Sequence, residues 1–400
     1  MHGAGACGLS NLALGVDSPR RYNGADGPRV AIAHDYLTQR GGAERVVLSM
    51  SRAFPDAPIH TLLYDPPRTY PEFAERDIRV SRLNSIAPFR RHHRVALPVL
   101  ATAAQSMFID ADVVVISTSG WAHGMQTRGR KLVFCHTPAH WLYMAAEYLG
   151  ESAPWTERIG LTTMSPYLKR WDRRAALSAD VYLANSTLTQ RRIERAYGRR
   201  ADILHSPVAD VSDTAEPIDD VRRWSQPDGT FYLCVARLLP YKNVDRVIRA
   251  FAATDRRLVV VGAGPEEKRL SALASPNVLM LSGLRDAQIT WLYRRCQALI
   301  AASYEDFGLT PIEAAAQGKP SVTLRWGGYL DTVDELVTGI YFDEPQPAAI
   351  AEALDRFEAM DFNTETIRKH AERFTETRFA AALYDAVDGL AEASSTQREV

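Results

Sequence analysis

Short runs of β-branched and aliphatic residues alternate with helical patterning along almost the whole chain. In the first half the apolar runs are Arg29–His34, Ile59–Leu63, Val113–Ser117, Lys131–His136 and Val181–Asn185. In the second half they are Phe231–Ala236, Leu258–Gly262, Val278–Leu281, Ala298–Ala301 and Ser321–Leu324. Each run is continuously apolar instead of alternating, as strands are when helices cover both faces of a parallel sheet. A phrase also recurs where helix passes into strand: Ile109-Asp-Ala-Asp-Val-Val-Val-Ile-Ser, Leu177-Ser-Ala-Asp-Val-Tyr-Leu-Ala-Asn-Ser and Cys296-Gln-Ala-Leu-Ile-Ala-Ala-Ser. Each copy ends a helix, fills a buried strand and leaves a small polar residue at the strand's carboxyl edge. That edge is where open α/β sheets bind ligands.

A chain of 400 residues suits two domains of about 150–200 residues each. Val208–Gly229 is acidic, Pro-containing and aperiodic, which marks it as a linker. The expected organisation is a lead-in over 1–27, a first domain over 28–208, a linker over 209–229, a second domain over 230–372 and a C-terminal helix over 373–400 that returns toward the first domain. The fold class is α/β: two Rossmann-like, doubly wound parallel-sheet domains facing each other across a cleft.

Hydrophobic content of 46% with 24% charged residues excludes wholesale disorder. No apolar run approaches the ~18–20 residues that span a bilayer. Residues 1–27 are rich in Gly, Ala and Ser but lack a basic start and an apolar core, so they read as a disordered lead-in and not a signal peptide. Cys7, Cys135, Cys234 and Cys296 are scattered, with no CxxC or Cys/His cluster. They read as reduced thiols of a cytoplasmic protein and give no zinc signal. The net charge of −1 hides an asymmetry: 24 Lys+Arg face 16 Asp+Glu from Pro28 to Pro207, and 21 face 30 from Val208 onward. Either the first half meets an anion or an anionic surface, or its arginines solvate helix faces; charge alone leaves both open.

The strongest local signal is Ser303-Tyr-Glu-Asp-Phe-Gly-Leu-Thr-Pro-Ile-Glu-Ala-Ala-Ala-Gln-Gly-Lys-Pro320. A strand runs into a Gly-containing turn, and a helix starts near Thr310 with Pro311 in its first turn. Free amides at such a start bind phosphate oxygens. Glu305 before the turn and Glu313 on the first helical turn can face one ligand and accept hydrogen bonds from sugar hydroxyls. A second motif, Val235-Ala-Arg-Leu-Leu-Pro-Tyr-Lys-Asn243, puts Arg237 at a strand tip and Lys242 at the start of a helix beginning near Tyr241. Two cations there suit a diphosphate. Gly41-Gly42 after the first strand fits either a close backbone approach to a ligand or a plain tight turn. His136 in Phe134-Cys-His-Thr-Pro-Ala-His-Trp141 ends another strand, where a lone histidine is as a rule structural.

Glu305 and Glu313 with Phe307-Gly308 between them resemble the family 4 retaining glycosyltransferases of the GT-B fold, over nearly all of residues 29–390. The resemblance implies that Glu313 binds the donor ribose and Glu305 lies beside the transferred sugar. It implies that the amides of Asp306, Phe307, Gly308 and Leu309 touch sugar and phosphate, and that Arg237 and Lys242 hold the diphosphate. Gly41 and Gly42 would close over the donor phosphates, and His136 matches the family's active-site histidine on the transferred sugar. The implied catalytic set is His136, Glu305, Arg237 and Lys242. The reaction would be front-face transfer with retention, needing no metal and no cofactor beyond the nucleotide sugar.

The Ala122-His-Gly124, Cys-His-Thr-Pro and Glu-Asp-Phe-Gly-Leu-Thr-Pro phrases together resemble bacterial GDP-mannose-using mannosyltransferases, with a UDP-hexose as the other donor. The implied acceptor is a carbohydrate or a lipid-linked sugar, and nucleic acid is not among the partners. Ser117–Gly124 would shape the acceptor side. Tyr329-Leu-Asp331 follows Gly327-Gly328 where relatives often place Glu, which leaves the acceptor contact open. Val259-Val-Val-Gly-Ala-Gly-Pro265 lacks the third glycine of a dinucleotide fingerprint. Asp110-Ala-Asp112 precedes its strand, which fits capping and not a metal-binding DxD. Arg79, Arg82, Arg90, Arg91 and Arg94, interleaved with Ile86, Phe89, Val95, Leu97 and Leu100, would permit peripheral contact with an anionic membrane.

Overall fold

The computed structural model describes residues 22–24, 27–91, 96–144, 155–208, 214–226 and 229–398. Most of the expected lead-in, the start of the linker, and Arg94 with Val95 lie outside the described residues. The first sheet consists of β1 (Val30–Leu37), β2 (Ile59–Tyr64), β3 (Ile78–Val80), β4 (Val113–Thr118), β5 (Arg130–Cys135), β6 (Val181–Ala184) and β7 (Asp202–Ile203). They lie side by side in the order β3-β2-β1-β4-β5-β6-β7, every pair parallel. The second sheet consists of β8 (Tyr232–Val235), β9 (Leu258–Val261), β10 (Val278–Leu281), β11 (Leu299–Ala301), β12 (Ser321–Leu324) and β13 (Gly339–Phe342). Its order is β10-β9-β8-β11-β12-β13, again all parallel.

Counted within each domain, both sheets begin 3-2-1-4-5-6. The winding therefore reverses between β1 and β4, and again between β8 and β11. A crevice opens at each reversal, outside the carboxyl ends of the strands. Continuous burial of the central strands follows from helices on both faces. Ala31, Ala33, Val114 and Ile116 join one apolar cluster, and Val30, Ile32, Val113 and Val115 join another. Alternate side chains thus leave opposite faces of the pleat.

The helices that matter for the site are α1 (Gly42–Ala53), α2 (Trp155–Leu177), α3 (Thr187–Tyr197), α4 (Val244–Ala252), α5 (Leu309–Ala316) and α6 (Glu376–Arg398). Helix α6 leaves the second domain and packs on the first. Phe379, Leu383, Val387 and Leu390 share a core with Val30, Ile32, Val47 and Phe54. Glu376 accepts from Ser49 Oγ at 2.6 Å and Arg52 Nη1 at 2.7 Å, and Tyr384 donates to the Ala53 carbonyl at 2.8 Å. The two crossings between domains meet as a parallel bridge of Val208 with Thr375.

Several local expectations are corrected. Strand β1 continues to Leu37, which places His34 and Asp35 inside the strand. The helix expected near Tyr241 starts at Val244, because Pro240–Lys242 forms one 3₁₀ turn and Asn243 is left-handed at φ 53°. That asparagine is held by its Nδ2, which donates to the Ala302 carbonyl at 2.9 Å. Part of the supposed linker is helical: Asp219–Trp224 turns Val221 into a core with Phe231, Leu233 and Leu292. Asp110 and Asp112 both pair with Arg29, which ties them to the strand start.

Leu383 is fully buried in the first-domain core. Leu383→Ala should destabilise the protein by about 2–5 kcal/mol, the usual cost of truncating a core leucine. Urea unfolding followed by circular dichroism measures it, and an effect below ~1 kcal/mol would mean that α6 is not part of that core.

Candidate active site

The exit of β8 carries Arg237, which is exposed and has no side-chain partner among the described residues. Lys242, on the following 3₁₀ turn, is mostly buried and pairs with Glu305 beyond the end of β11. Burial pulls its ammonium down, but Glu305 and Tyr241 more than offset this and its pKa ends above the usual lysine value. Lys242 is therefore a fixed positive charge. Glu305 takes both Lys242 and Ser303 Oγ, the latter at 3.0 Å, on Oε1. Ser303 is in turn bonded to the Tyr329 hydroxyl at 2.7 Å, and burial keeps that phenol protonated. Both bonds to Glu305 fall on Oε1, and among the described residues its Oε2 takes no hydrogen bond.

Gly308 turns the chain from β11 into α5 at φ 87°, where an added Cβ would lie 2.6 Å from the Tyr329 ring. Among the described residues the amides of Leu309 and Thr310, which open the helix, have no backbone partner, while Pro311 has no amide hydrogen. Glu313 falls on the second turn of α5, not the first. Its Oε2 accepts from Tyr293 at 2.7 Å and its Oε1 from Arg45 of α1 at 3.5 Å. Phe307 turns its ring away from the cleft and stacks on His205 at 5.6 Å, packed with Ile312 and Phe374. Only its backbone can face a ligand. The Asp306 carboxylate pairs with Arg192, and His140 Nε2 stands 3.8 Å away.

From the first domain, Gly42 opens α1 against the second domain: a Cβ there would sit 3.2 Å from Leu309 Cδ1. Gly41 caps α1, and a Cβ there would strike the Glu44 carboxylate at 2.5 Å. Glu44 is itself buried, which raises its pKa. His136, just past β5, reaches Ser117 Oγ at the end of β4 with Nε2 at 2.8 Å. Burial, then His34, pushes its pKa down to about 3, so the ring is neutral. Asp35 shapes the floor of the same crevice by accepting from Thr118 Oγ1 and from the amides of Ser119, Trp121 and Ala122.

Of Ser117–Gly124 only Ser119 is partly exposed, so the segment does not line an open acceptor surface. Trp121 stacks on Trp141 at 4.5 Å, and His123 lies buried beside Asp172 of α2 and Tyr182. Asp331, whose acceptor contact the sequence leaves open, is engaged at the domain seam. It accepts from the amide of Thr187 at 3.1 Å and from its hydroxyl, capping α3 from the other domain. Ser186 Oγ donates to the Asp306 carbonyl beside it.

The structure thus gathers Arg237, Lys242, Glu305, Gly308 and Glu313 at the second crevice, and brings Gly41, Gly42 and His136 from the first. Reasoning on sequence misses Arg45, Ser117, Arg192, Tyr293 and Tyr329 as partners. Arg45 closes the Gly-Gly phrase after β1 and Tyr329 follows Gly327-Gly328, so both have a signal; Tyr293 on its amphipathic helix has none.

Two Rossmann-like domains with facing switch points, cations and a helix start on one side and carboxylates within reach, define a GT-B scaffold. Residues 219–377 match the family described as glycosyl transferases group 1, and residues 40–209 match glycosyltransferase family 4. The chain belongs to the family 4 GT-B glycosyltransferases. It is 30% identical over 215 residues to the GDP-mannose-dependent alpha-(1-6)-phosphatidylinositol monomannoside mannosyltransferase of Mycolicibacterium smegmatis, covering 48% of this chain and 56% of that one. It is also 30% identical over 226 residues to the D-inositol 3-phosphate glycosyltransferase of Acidothermus cellulolyticus, covering 49% and 50%. These alignments span about half the length of each relative. The Anabaena HepE structure in complex with UDP shares the fold at TM-score 0.65 and 19% identity, covering 90% of this chain and all of that one.

The neutral His136 carries a pH consequence. Its folded pKa of about 3 lies below the ordinary 6.5. Between those values the unfolded chain binds the extra proton, so stability falls as pH drops below 6.5 and is level above it. His60, pushed down to about 4 by burial, acts in the same direction. Urea midpoints should decline from about pH 7 to about pH 5, and His136→Asn should flatten that decline. An unchanged slope in the variant would show that His136 titrates normally.

Proposed function

We propose that the protein transfers a hexose from a nucleotide sugar to a hydroxyl acceptor with retention of configuration, and that the donor is GDP-mannose. The observation that carries this reading is the convergence of Lys242, Arg237, Glu305 and the helix start behind Gly308 on one crevice, with neutral His136 arriving from the other domain. The diphosphate would lie against Arg237, Lys242 and the amides of Leu309 and Thr310, where its growing charge on departure is stabilised. Glu305 Oε2 and His136 would hold sugar hydroxyls. Glu313, oriented by Tyr293, would take the ribose hydroxyls in competition with Arg45. As the bond from the sugar's anomeric carbon to phosphate breaks, the acceptor oxygen bonds to the same face and its proton passes to the departing phosphate oxygen. No protein base and no metal are required, and the nucleotide sugar is the sole donor.

The GDP-mannose assignment is supported by the mycobacterial-type relative, whose name carries that donor. A UDP-hexose is the second reading. The acceptor we favour is a carbohydrate hydroxyl, with the lipid-linked class as the alternative. That relative's name carries a phosphatidylinositol acceptor. On this chain Arg79 is paired with Asp77, and Phe89 and Leu97 turn toward the core, whereas Ile86 and Val99 stay exposed. No helix among the described residues is long and apolar enough to cross a membrane. A cytoplasmic enzyme with, at most, peripheral contact with a membrane face fits these features.

Glu313→Ala should weaken donor binding by roughly 1–3 kcal/mol through lost charged hydrogen bonds, read by calorimetric titration with GDP-mannose and UDP-glucose in parallel. Tighter binding of UDP-glucose would replace the mannose assignment. Arg237→Ala and Lys242→Ala should each lower turnover by about 10²-fold or more if they stabilise the leaving diphosphate. Activity should survive removal of divalent ions by chelator; a strict metal requirement would overturn this mechanism.

A further inference from the structure

The nitrogen that His136 offers to the cleft is decided by two residues buried behind it. Ser117 is fully buried, and its hydroxyl sits between two histidine rings. His34 Nδ1 lies 3.0 Å from the Ser117 carbonyl oxygen and 3.0 Å from its Oγ. His136 Nε2 lies 2.8 Å from the same Oγ. A carbonyl oxygen can only accept, so His34 Nδ1 must carry a hydrogen to stand that close to it. The hydrogen of Ser117 Oγ therefore cannot point at His34. Among the described residues the remaining group within hydrogen-bond reach of that hydroxyl is His136 Nε2, and a buried hydroxyl hydrogen left without an acceptor is costly. Oγ–H consequently donates to Nε2. In a neutral ring, one nitrogen bears the proton and the other accepts.

We propose that Ser117 and His34 act as positioning residues that lock His136 as its Nδ1–H tautomer, so that it presents an N–H donor to an acceptor atom of the bound sugar. The geometry leaves Nδ1 suited to that role, since among the described residues the ring bonds through Nε2 and the residue is only partly buried. The ring is held edge-on by Phe134 at 5.2 Å and by His34 at 6.5 Å, so it cannot flip without breaking this packing. The low pKa of His136 is consistent with a ring that stays neutral across the working range. The titratable groups around the arrangement are His34 itself on β1 and Glu44 on α1, which lies within electrostatic reach of His34. The inference rests on the reading of His136 as a substrate-contacting residue, but the tautomer can be tested apart from it.

The first experiment is nitrogen NMR of the full-length protein with ring-labelled histidine, the His136 signals being assigned by loss in His136→Asn. The expected result is a protonated Nδ1 and an unprotonated Nε2 from about pH 6 to about pH 8, changing to a tautomer mixture in Ser117→Ala. A protonated Nε2 in the wild type would overturn the proposal. The second experiment is kinetic. An asparagine amide can place an N–H near the position of Nδ1, and a glutamine amide near that of Nε2. His136→Asn should therefore keep roughly tenfold more turnover than His136→Gln, the size expected for keeping one neutral hydrogen bond to the sugar. Ser117→Ala should lower kcat with little change in donor KM, and should add nothing to His136→Asn, which needs no tautomer control. Equal loss in both backgrounds would make Ser117 merely structural. Full activity in both His136 variants, with the expected NMR pattern, would leave the tautomer standing and remove His136 from contact with the substrate.

Discussion

The site depends on how closely two backbone loops approach each other at the carboxyl edge of the second sheet. A Cβ at Gly328 would lie 2.1 Å from Phe307 Cα, and the Gly328 amide donates to the Glu305 carbonyl at 2.9 Å. With the loops this close, Tyr329 can press on Gly308 and bond Ser303, and Ser303 can bond Glu305. The carboxylate is thus positioned by covalent geometry and packing, with little freedom of its own. The left-handed turn at Gly308 then aims the first amides of α5 at the same space. Any side chain at these glycines would push the loops apart and displace the carboxylate and the helix start together.

The charges around that space are paired in a way that a polyanionic ligand can rearrange. Lys242 is neutralised by Glu305, and Arg45 reaches Glu313 only at 3.5 Å, a long and weak bond. Arg237 is held by no side chain among the described residues. A diphosphate would therefore meet one uncommitted cation and one whose carboxylate partner has a second oxygen to spare. Stronger pairs lie at the seam: Arg192 with Asp306, and Thr187 with Asp331. These connect the domains through α3. Lys242 and Glu305 take no part in them, whereas Glu313 is itself tied across the domains through Arg45.

How much of this is legible in the sequence follows from how local each feature is. The Ser303–Pro320 phrase follows β11 directly and spans turn and helix within one stretch of chain, so its local structure can be read from spacing. The doubly wound architecture is legible for the same reason, since each strand–helix unit is contiguous. What cannot be read is assembled from distant strands. His34 and Ser117 are 83 positions apart, and nothing in either segment announces the other. The resemblance implies a contact from the Phe307 amide and says nothing of its ring, which gains from burial against His205 and Phe374 at the domain seam. Asn243 reads as helix interior, yet its side-chain bond to the Ala302 carbonyl holds it left-handed and delays α4. The edge strands β3, β7 and β13 escape a reading by pattern, and the first two are too short to leave one.

The return of α6 to the first domain has a consequence for how the chain comes into being. Phe379, Leu383, Val387 and Leu390 complete the core around Val30, Ile32 and Phe54, but they are synthesised only after the entire second domain. During translation the first domain therefore emerges with an uncovered apolar flank and waits, while the second, whose core draws on contiguous sequence, can close on its own. Because α6 completes it, the first-domain core cannot close fully before the second domain has been made, which departs from the simple amino-terminal-first order.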